Sequence, residues 1–236
     1  MIIPQKMKAK LASKEDYNQR FSLYRFELIQ PYKIENLAGQ YVLIQIDEKT
    51  TRAYSMCDRP DVNTSFELLV DHQPNGLGVN YLKNLSYGQE IDLIAPLGKL
   101  VIEDLSDIKH LFLVASGSGI SPFRSQVTDL LQLRQTTIPL TLVWGMRSDA
   151  DFFWLDDFLQ MQRYFDNFTF IPTVSQPTPT WNLLTGRVTS WLESQTFPAK
   201  SQFLLCGNPS MINDSQAIIQ QKGITLDHIV SEKFDS

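Results

Sequence analysis

The chain predicts two folds in series: an antiparallel β half, barrel or sandwich, followed by an α/β half built on a parallel sheet. Three observations carry this. Up to about residue 104, short apolar/polar alternations are cut by turn residues, as half-buried strands require. From about residue 105, apolar runs alternate with helical stretches, the pattern of strands covered by crossover helices. With 236 residues, 43% of them apolar and 20% charged, the chain is long enough for two domains with real cores. Residues 1–104 and 105–236 are the expected domains.

In the first half, Phe21–Ile29 alternates apolar and polar residues. Tyr41–Ile46 follows the turn Ala38-Gly39-Gln40, then come Ser65–Val70 and, after Tyr87-Gly88-Gln89, Glu90–Ile94. One helix is expected near Gly78–Leu85. In the second half the expected order is strand Leu111–Ala115, helix Pro122–Arg134, strand Pro139–Trp144, helix Trp154–Tyr164 and strand Phe168–Val174. Helix Gly186–Gln195, strand Gln202–Cys206, helix Ser210–Lys222 and a last extended segment from Ile229 to Phe234 complete it.

The segment from Leu113 to Pro122 combines an apolar strand, a turn bearing Gly117 and Gly119, and a proline suited to the first position of a helix. Glycines let the main chain approach a ligand, and a helix start leaves N–H groups unpaired, which favours an anion such as a pyrophosphate. A plain tight turn is the alternative. In Thr51-Arg52-Ala53-Tyr54-Ser55, extended geometry puts Arg52 and Tyr54 on one side, a donor fork for phosphate beside a flat aromatic face. From these residues alone, a strand-end arginine beside a core tyrosine is the stronger reading.

Composition excludes several classes. A net charge of −5 argues against a broad nucleic-acid surface, and no apolar run approaches the ~20 residues of a membrane span. Met1–Lys6 lacks the apolar core of a secretion signal, so a cytoplasmic protein is expected. Two cysteines, Cys57 and Cys206, are too few for an iron–sulfur cluster or a four-cysteine zinc site, and His72, His110 and His228 have no metal-ligand spacing. No metal is expected, and redox chemistry here needs an organic cofactor.

Three blocks in order, Arg52-Ala53-Tyr54-Ser55, Gly117-Ser118-Gly119-Ile120-Ser121-Pro122 and Cys206-Gly207-Asn-Pro209-Ser-Met211, resemble the ferredoxin–NADP reductase superfamily. Ala38–Tyr41, Pro96-Leu97-Gly98 and Val143-Trp144-Gly145-Met-Arg147 agree with it, so the resemblance spans nearly the whole chain. It implies an N-terminal Greek-key β-barrel binding flavin and a C-terminal parallel α/β domain binding a nicotinamide dinucleotide. Arg52 would neutralise the flavin phosphate, Tyr54 would stack on the isoalloxazine and Ser55 would hydrogen-bond near its N5. Amides of Gly78, Val79 and Asn80 would cradle phosphate, although the family's hydroxyl residue is replaced there. FAD is expected ahead of FMN.

Gly117, Ser118, Gly119, Ile120 and Pro122 would bind the dinucleotide pyrophosphate. Cys206 and Gly207 would position the nicotinamide, Glu232 would handle charge or a proton, and Phe234 would cover the flavin face opposite Tyr54. Arg147 would grip the 2′-phosphate of NADPH, whereas Asp149 and Asp151 would suit the free ribose hydroxyls of NADH. Arg124 reads as a solvated surface arginine. The implied activity is hydride transfer from NAD(P)H to flavin, with electrons passed to ferredoxin, flavodoxin or an oxygenase component. A reductase releasing free reduced flavin and a non-catalytic flavin-binding module are the alternatives.

Overall fold

In a computed structural model, residues 3–233 are described. The chain gathers into two compact units. Among the described residues, one runs to Val101 and also takes in Ser121–Leu133; the other holds Ile102–Ile120 and Arg134–Lys233.

The first unit contains β1 (Gln5–Asp16), β2 (Phe21–Gln30), β3 (Tyr41–Gln45), β4 (Thr51–Ser55), β5 (Ser65–Asp71) and β6 (Glu90–Leu97). They form an antiparallel sheet in the order β4-β3-β6-β1-β2-β5. Just past β4, Met56 bridges to Leu68 of β5, and the Cys57 N–H donates to the Glu67 carbonyl at 3.0 Å. That contact joins the two outer strands and closes the sheet into a barrel, which removes its open edges. Alternate residues fill the interior: Met7, Ala9 and Leu11 of β1, Tyr24, Phe26 and Leu28 of β2, and Phe66, Leu68 and Val70 of β5. β1 is not among the strands read from the sequence, although Met7, Ala9 and Leu11 alternate with lysines. Its inward pattern breaks at a register shift between Leu11 and Ser13, where the paired strand bends. Helix α1 (Leu77–Lys83) is shorter than expected and seats Val79 and Leu82 on the barrel core.

Helix α2 (Ser121–Thr128) continues into a wider π-type turn over Asp129–Leu133, where the sequence suggests one regular helix to Arg134. Phe123, Val127, Leu130 and Leu131 are buried. Arg124 is not the solvated arginine the sequence suggests. Its Nη1 donates to Glu67 Oε2 at 3.0 Å and to the Cys57 carbonyl at 3.3 Å, with less than a third of either side chain exposed. Beside this pair, Asp58 accepts the Glu67 N–H at 3.1 Å, and burial pushes its carboxyl up to about 7.

The second unit holds β7 (His110–Ser116), β8 (Leu140–Met146), β9 (Phe168–Val174), β10 (Leu184–Thr185), β11 (Ser201–Gly207) and β12 (Ile229–Lys233). All are parallel, in the order β10-β9-β8-β7-β11-β12. Helices α4 (Val188–Ser194) and α5 (Pro209–Gln221) cover one face, where Val188, Leu192, Ile212 and Ile219 meet Phe112, Val114, Val143, Phe203 and Leu205. Helix α3 (Leu155–Tyr164) lies on the other, with Phe158 against Phe170 and Trp144 at ring distances of 5.1 and 6.2 Å. Strand order reverses between β7 and β11, which makes the carboxyl ends of these neighbours the topological switch point of the sheet. The expected strands and helices are all present, with ends shifted by a few residues. No helix among the described residues is long and apolar enough to cross a membrane.

Replacing Arg124 with alanine leaves Glu67 partly buried beside Asp58 without its cation. We expect a loss of about 2 kcal/mol or more, read as a lower midpoint in urea unfolding; an unchanged midpoint would mean the pair adds nothing net.

Candidate functional site

In the barrel unit the predicted flavin motif and the start of α1 come together. Within the sheet, β4 has a partner on one side, β3. Arg52 is exposed and donates from Nη1 to the Thr51 carbonyl at 2.8 Å. Tyr54 is half-buried, and this burial pushes its hydroxyl up to about 12 against the opposing pull of the Arg52 charge. A Cβ on Gly78 would stand 2.6 Å from the Tyr54 hydroxyl and 2.8 Å from Arg52 Cγ, so the main chain of α1 touches both side chains only because this residue has none. Ser55 is buried, and its Oγ is a polar atom with no hydrogen-bond partner. An unpaired buried hydroxyl costs about 1–3 kcal/mol, and a ligand acceptor would relieve it.

The expected amide cradle shifts by one residue. The Asn80 N–H is already spent on the Gly76 carbonyl at 3.0 Å, and the Asn80 side chain donates to the Asn75 carbonyl. Leu77, Gly78 and Val79 carry the N–H groups that lack intrahelical acceptors. Val79 turns its side chain into the barrel core and Ala53 is exposed between its neighbours, leaving each a main-chain role. A Gly-lined phosphate cradle, an arginine, a tyrosine face and an orphan hydroxyl are the donor set that a flavin needs. The residues fit it.

In the α/β unit, a row of register partners crosses the carboxyl end of the sheet: Glu232, Cys206, Ala115 and Trp144. Gly117–Ile120 form a short 3-10 turn straight after β7. A Cβ on Gly119 would collide with the Cys206 carbonyl and reach within 2.7 Å of the Gly207 nitrogen, so the turn and the end of β11 close on one another. The Asn208 N–H donates to Ser116 Oγ at 3.1 Å, and Trp144 donates from its indole N–H to the Gly117 carbonyl at 2.9 Å. Pro122 does not open a helix after a free turn. The helix begins at Ser121 and runs on directly from the 3-10 turn, which puts Pro122 one place inside it. Gly117 and Ser118 stay partly exposed while Gly119 is buried against Cys206-Gly207, and that fits a dinucleotide lying across the switch point.

Arg147 follows β8, and its Nε donates to Gln176 Oε1 at 3.0 Å. Asp149 is engaged by the neighbouring loop. Its carboxylate accepts the Thr178 N–H at 2.8 Å and the Thr178 hydroxyl at 2.7 Å, bonds that hold it below its usual pKa. Phe152 stacks on Trp181 with centroids 5.5 Å apart and meets Trp144 edge-on, a packed cluster before α3. Gln176, Thr178 and Trp181 are neighbours of the predicted site that the motifs do not point to, and Trp144 lies in a quoted block without a role assigned to it. For Trp144 a signal exists: an indole inside an apolar strand needs an acceptor for its N–H. Phe234 lies outside the described residues.

Burial pushes the Cys206 thiol well up, with the Glu232 charge adding to it, so the sulfur stays protonated at neutral pH and is no nucleophile. Burial also pushes Glu232 up to about 7. The folded chain therefore holds a proton on Glu232 that the unfolded chain releases above the ordinary value of 4.5. Stability contributed by this group is present below that value and is lost as pH rises towards 7. Glu232→Gln should lose less stability than the wild type between about pH 5 and pH 8, measured by unfolding across pH. Parallel losses would show that the carboxyl titrates normally.

Residues 8–102 match the family model of the oxidoreductase FAD-binding domain, and residues 113–217 that of the oxidoreductase NAD-binding domain. The anthranilate 1,2-dioxygenase electron transfer component of Acinetobacter baylyi is 28% identical over 206 residues, 86% of this chain and 59% of that protein. A component of the Na(+)-translocating NADH-quinone reductase of Serratia proteamaculans is 27% identical over 205 residues, 80% of this chain and 50% of that protein. The chain thus spans little more than half the length of these relatives. Among solved structures, the Amycolatopsis cytochrome P450 reductase GcoB superposes with a TM-score of 0.89 at 21% identity, covering 99% of this chain and 71% of that one. A ferredoxin NADP+ reductase from Neisseria gonorrhoeae with bound FAD and NADP superposes at 0.83 with 19% identity, covering 97% and 98%. A barrel closed beneath an Arg-x-Tyr-Ser strand, followed by a parallel sheet with its glycine turn at the switch point, places this chain in the ferredoxin–NADP reductase superfamily of two-domain flavoprotein oxidoreductases.

Proposed function

We propose that the chain is an NAD(P)H-dependent reductase that retains FAD and delivers electrons to a separate acceptor, ferredoxin or flavodoxin. The reading rests above all on the retention of both cofactor cradles in one chain, Arg52–Tyr54–Gly78 in one unit and Gly117–Gly119 against Cys206-Gly207 in the other. Residues 1–104 serve as the flavin domain and 105–236 as the dinucleotide domain in this proposal. Bound FAD would accept a two-electron hydride from the nicotinamide and release electrons singly, chemistry that belongs to the cofactor.

The side chains supply binding and orientation. Arg52 and the amides of Leu77–Val79 hold the flavin phosphate, Tyr54 lays its ring along the isoalloxazine, and Ser55 gives its unpaired hydroxyl to the flavin edge. Gly117, Ser118, Gly119 and Ile120, with Pro122 stiffening the helix start, receive the pyrophosphate. The Cys206 thiol, small and protonated, sets the nicotinamide against Gly207, and Glu232 holds a proton beside it near neutral pH. Arg147, braced at Nε by Gln176, turns its remaining donors to a 2′-phosphate, which favours NADPH over NADH.

The two cysteines are buried and free, in keeping with a reducing cytoplasm. The dioxygenase electron transfer component among the relatives makes an oxygenase component the second choice of acceptor.

The test is the visible spectrum of the purified protein, followed by anaerobic addition of NADPH or NADH. A flavin band that bleaches supports the reading, and release of the flavin distinguishes FAD from FMN. A colourless protein that oxidises NADPH once FAD or FMN is added would replace it with a free-flavin reductase, and a protein inert to both would leave a non-catalytic module. Arg147→Ala should raise the KM for NADPH by about tenfold while leaving that for NADH nearly unchanged; equal losses would remove the 2′-phosphate contact.

A further inference from the structure

Trp144 is the largest fully buried side chain among the described residues, with none of its surface exposed. It stands on β8 in register with Ala115, one residue before Ser116 and two before the glycine turn. Three rings pack against its indole: Phe152 at 4.7 Å, Phe153 at 5.2 Å and Phe158 at 6.2 Å, all edge-on. These rings enclose the indole and keep it from water. Its one polar atom, Nε1, is spent on the carbonyl of Gly117 at 2.9 Å.

Gly117 has φ +56°, a left-handed conformation that its carbonyl must be held in if the turn is to keep one shape. In a trans peptide the carbonyl and the following N–H point in opposite directions. With the Gly117 oxygen drawn down to the buried indole, the N–H of Ser118 is aimed away from it, out of the sheet end. Ser118 is the second residue of the 3-10 turn, so this N–H has no acceptor within the turn. On the far side, Gly119 is pressed against the Cys206 carbonyl. The turn is thereby gripped from both flanks, by an indole N–H on β8 and by the main chain of β11.

We propose that Trp144 is a positioning residue for dinucleotide binding: its indole N–H locks the Gly117 peptide so that the Ser118 amide faces the pyrophosphate. This rests on the pyrophosphate reading of Gly117–Ile120 given above. It adds that the aim of the anion-binding amide is set by a side chain of the neighbouring strand, which touches no ligand itself. Since the pyrophosphate is common to NADPH and NADH, Trp144 acts on both alike and does not select between them, unlike Arg147.

The test uses the full chain with its flavin. Trp144→Phe keeps an aromatic ring in the cage and removes the N–H; Phe152→Leu loosens the same cage and keeps the N–H. Binding of NADP+ and of NAD+ is measured by calorimetry, alongside flavin content, unfolding midpoint and steady-state kinetics. Trp144→Phe is expected to weaken both dinucleotides by about fivefold, the worth of one neutral hydrogen bond, and to raise KM by more than it lowers kcat, with flavin content unchanged. Phe152→Leu is expected to lower the unfolding midpoint and leave both affinities as they were. Should Trp144→Phe fail to fold, a benzothienyl amino acid at 144, isosteric with tryptophan but lacking the N–H, takes its place with the same expectation. Unchanged affinities in the variant lacking the N–H, a loss confined to one dinucleotide, or an equal loss in Phe152→Leu would each overturn the role of Trp144. A wild-type protein that bleaches with neither nucleotide and binds neither would overturn the pyrophosphate reading as well.

Discussion

The handedness of strand–helix–strand crossovers is the constraint on which the second unit depends. A right-twisted strand returns to a parallel neighbour almost always through a right-handed turn. Moving out from β7 through β8 and β9, and then restarting on its other side at β11, sends the helices to opposite faces. Between β7 and β11 no crossover helix intervenes, so the glycine turn after β7 and Cys206-Gly207 after β11 meet directly, with no room for a side chain at Gly119. The glycine turn and Cys206-Gly207 both take their place from that one topological fact.

The barrel solves a different problem. Six antiparallel strands with two outer members would expose unpaired N–H and C=O groups, and the Met56–Leu68 bridge with the Cys57–Glu67 hydrogen bond closes the seam. Ser55 sits at this seam, immediately before the bridge. Arg124 reaches the same place, binding the Cys57 carbonyl and Glu67 together. The segment bearing the flavin motif is therefore held by sheet hydrogen bonds up to Ser55 and by the seam just beyond it, while Arg52 and Tyr54 stay open to the start of α1.

Much of this is legible in the residues because local and global signals agree. Apolar runs long enough for buried strands mark β7, β8, β9 and β11, and a helix follows β7, β8 and β11 directly. β1 escapes notice because its alternation is carried by Met7, Ala9 and Leu11, two of them weak strand formers, and is interrupted by a bulge that no local rule announces. The site divides in the same way. Arg52, Tyr54 and the glycines show themselves because only those residue types meet the local demand. The fates of Arg124, Asp149 and the Asn80 amide are hidden, since each is decided by a partner far along the chain or by which N–H happens to close the first helical turn. A hydrogen-bond partner 57 residues away leaves no periodicity behind.

The burial of both thiols has a consequence for durability. Proteins that handle reduced flavin work beside a source of peroxide whenever oxygen intercepts the electrons, and cysteine oxidation proceeds through the thiolate. Cys57 and Cys206 are each shut away from water, and burial drives both thiols far from ionisation. The sulfur that stands nearest the proposed reaction coordinate is thus also among the least oxidisable groups in the molecule, a chemical insulation obtained from the sheet that encloses it.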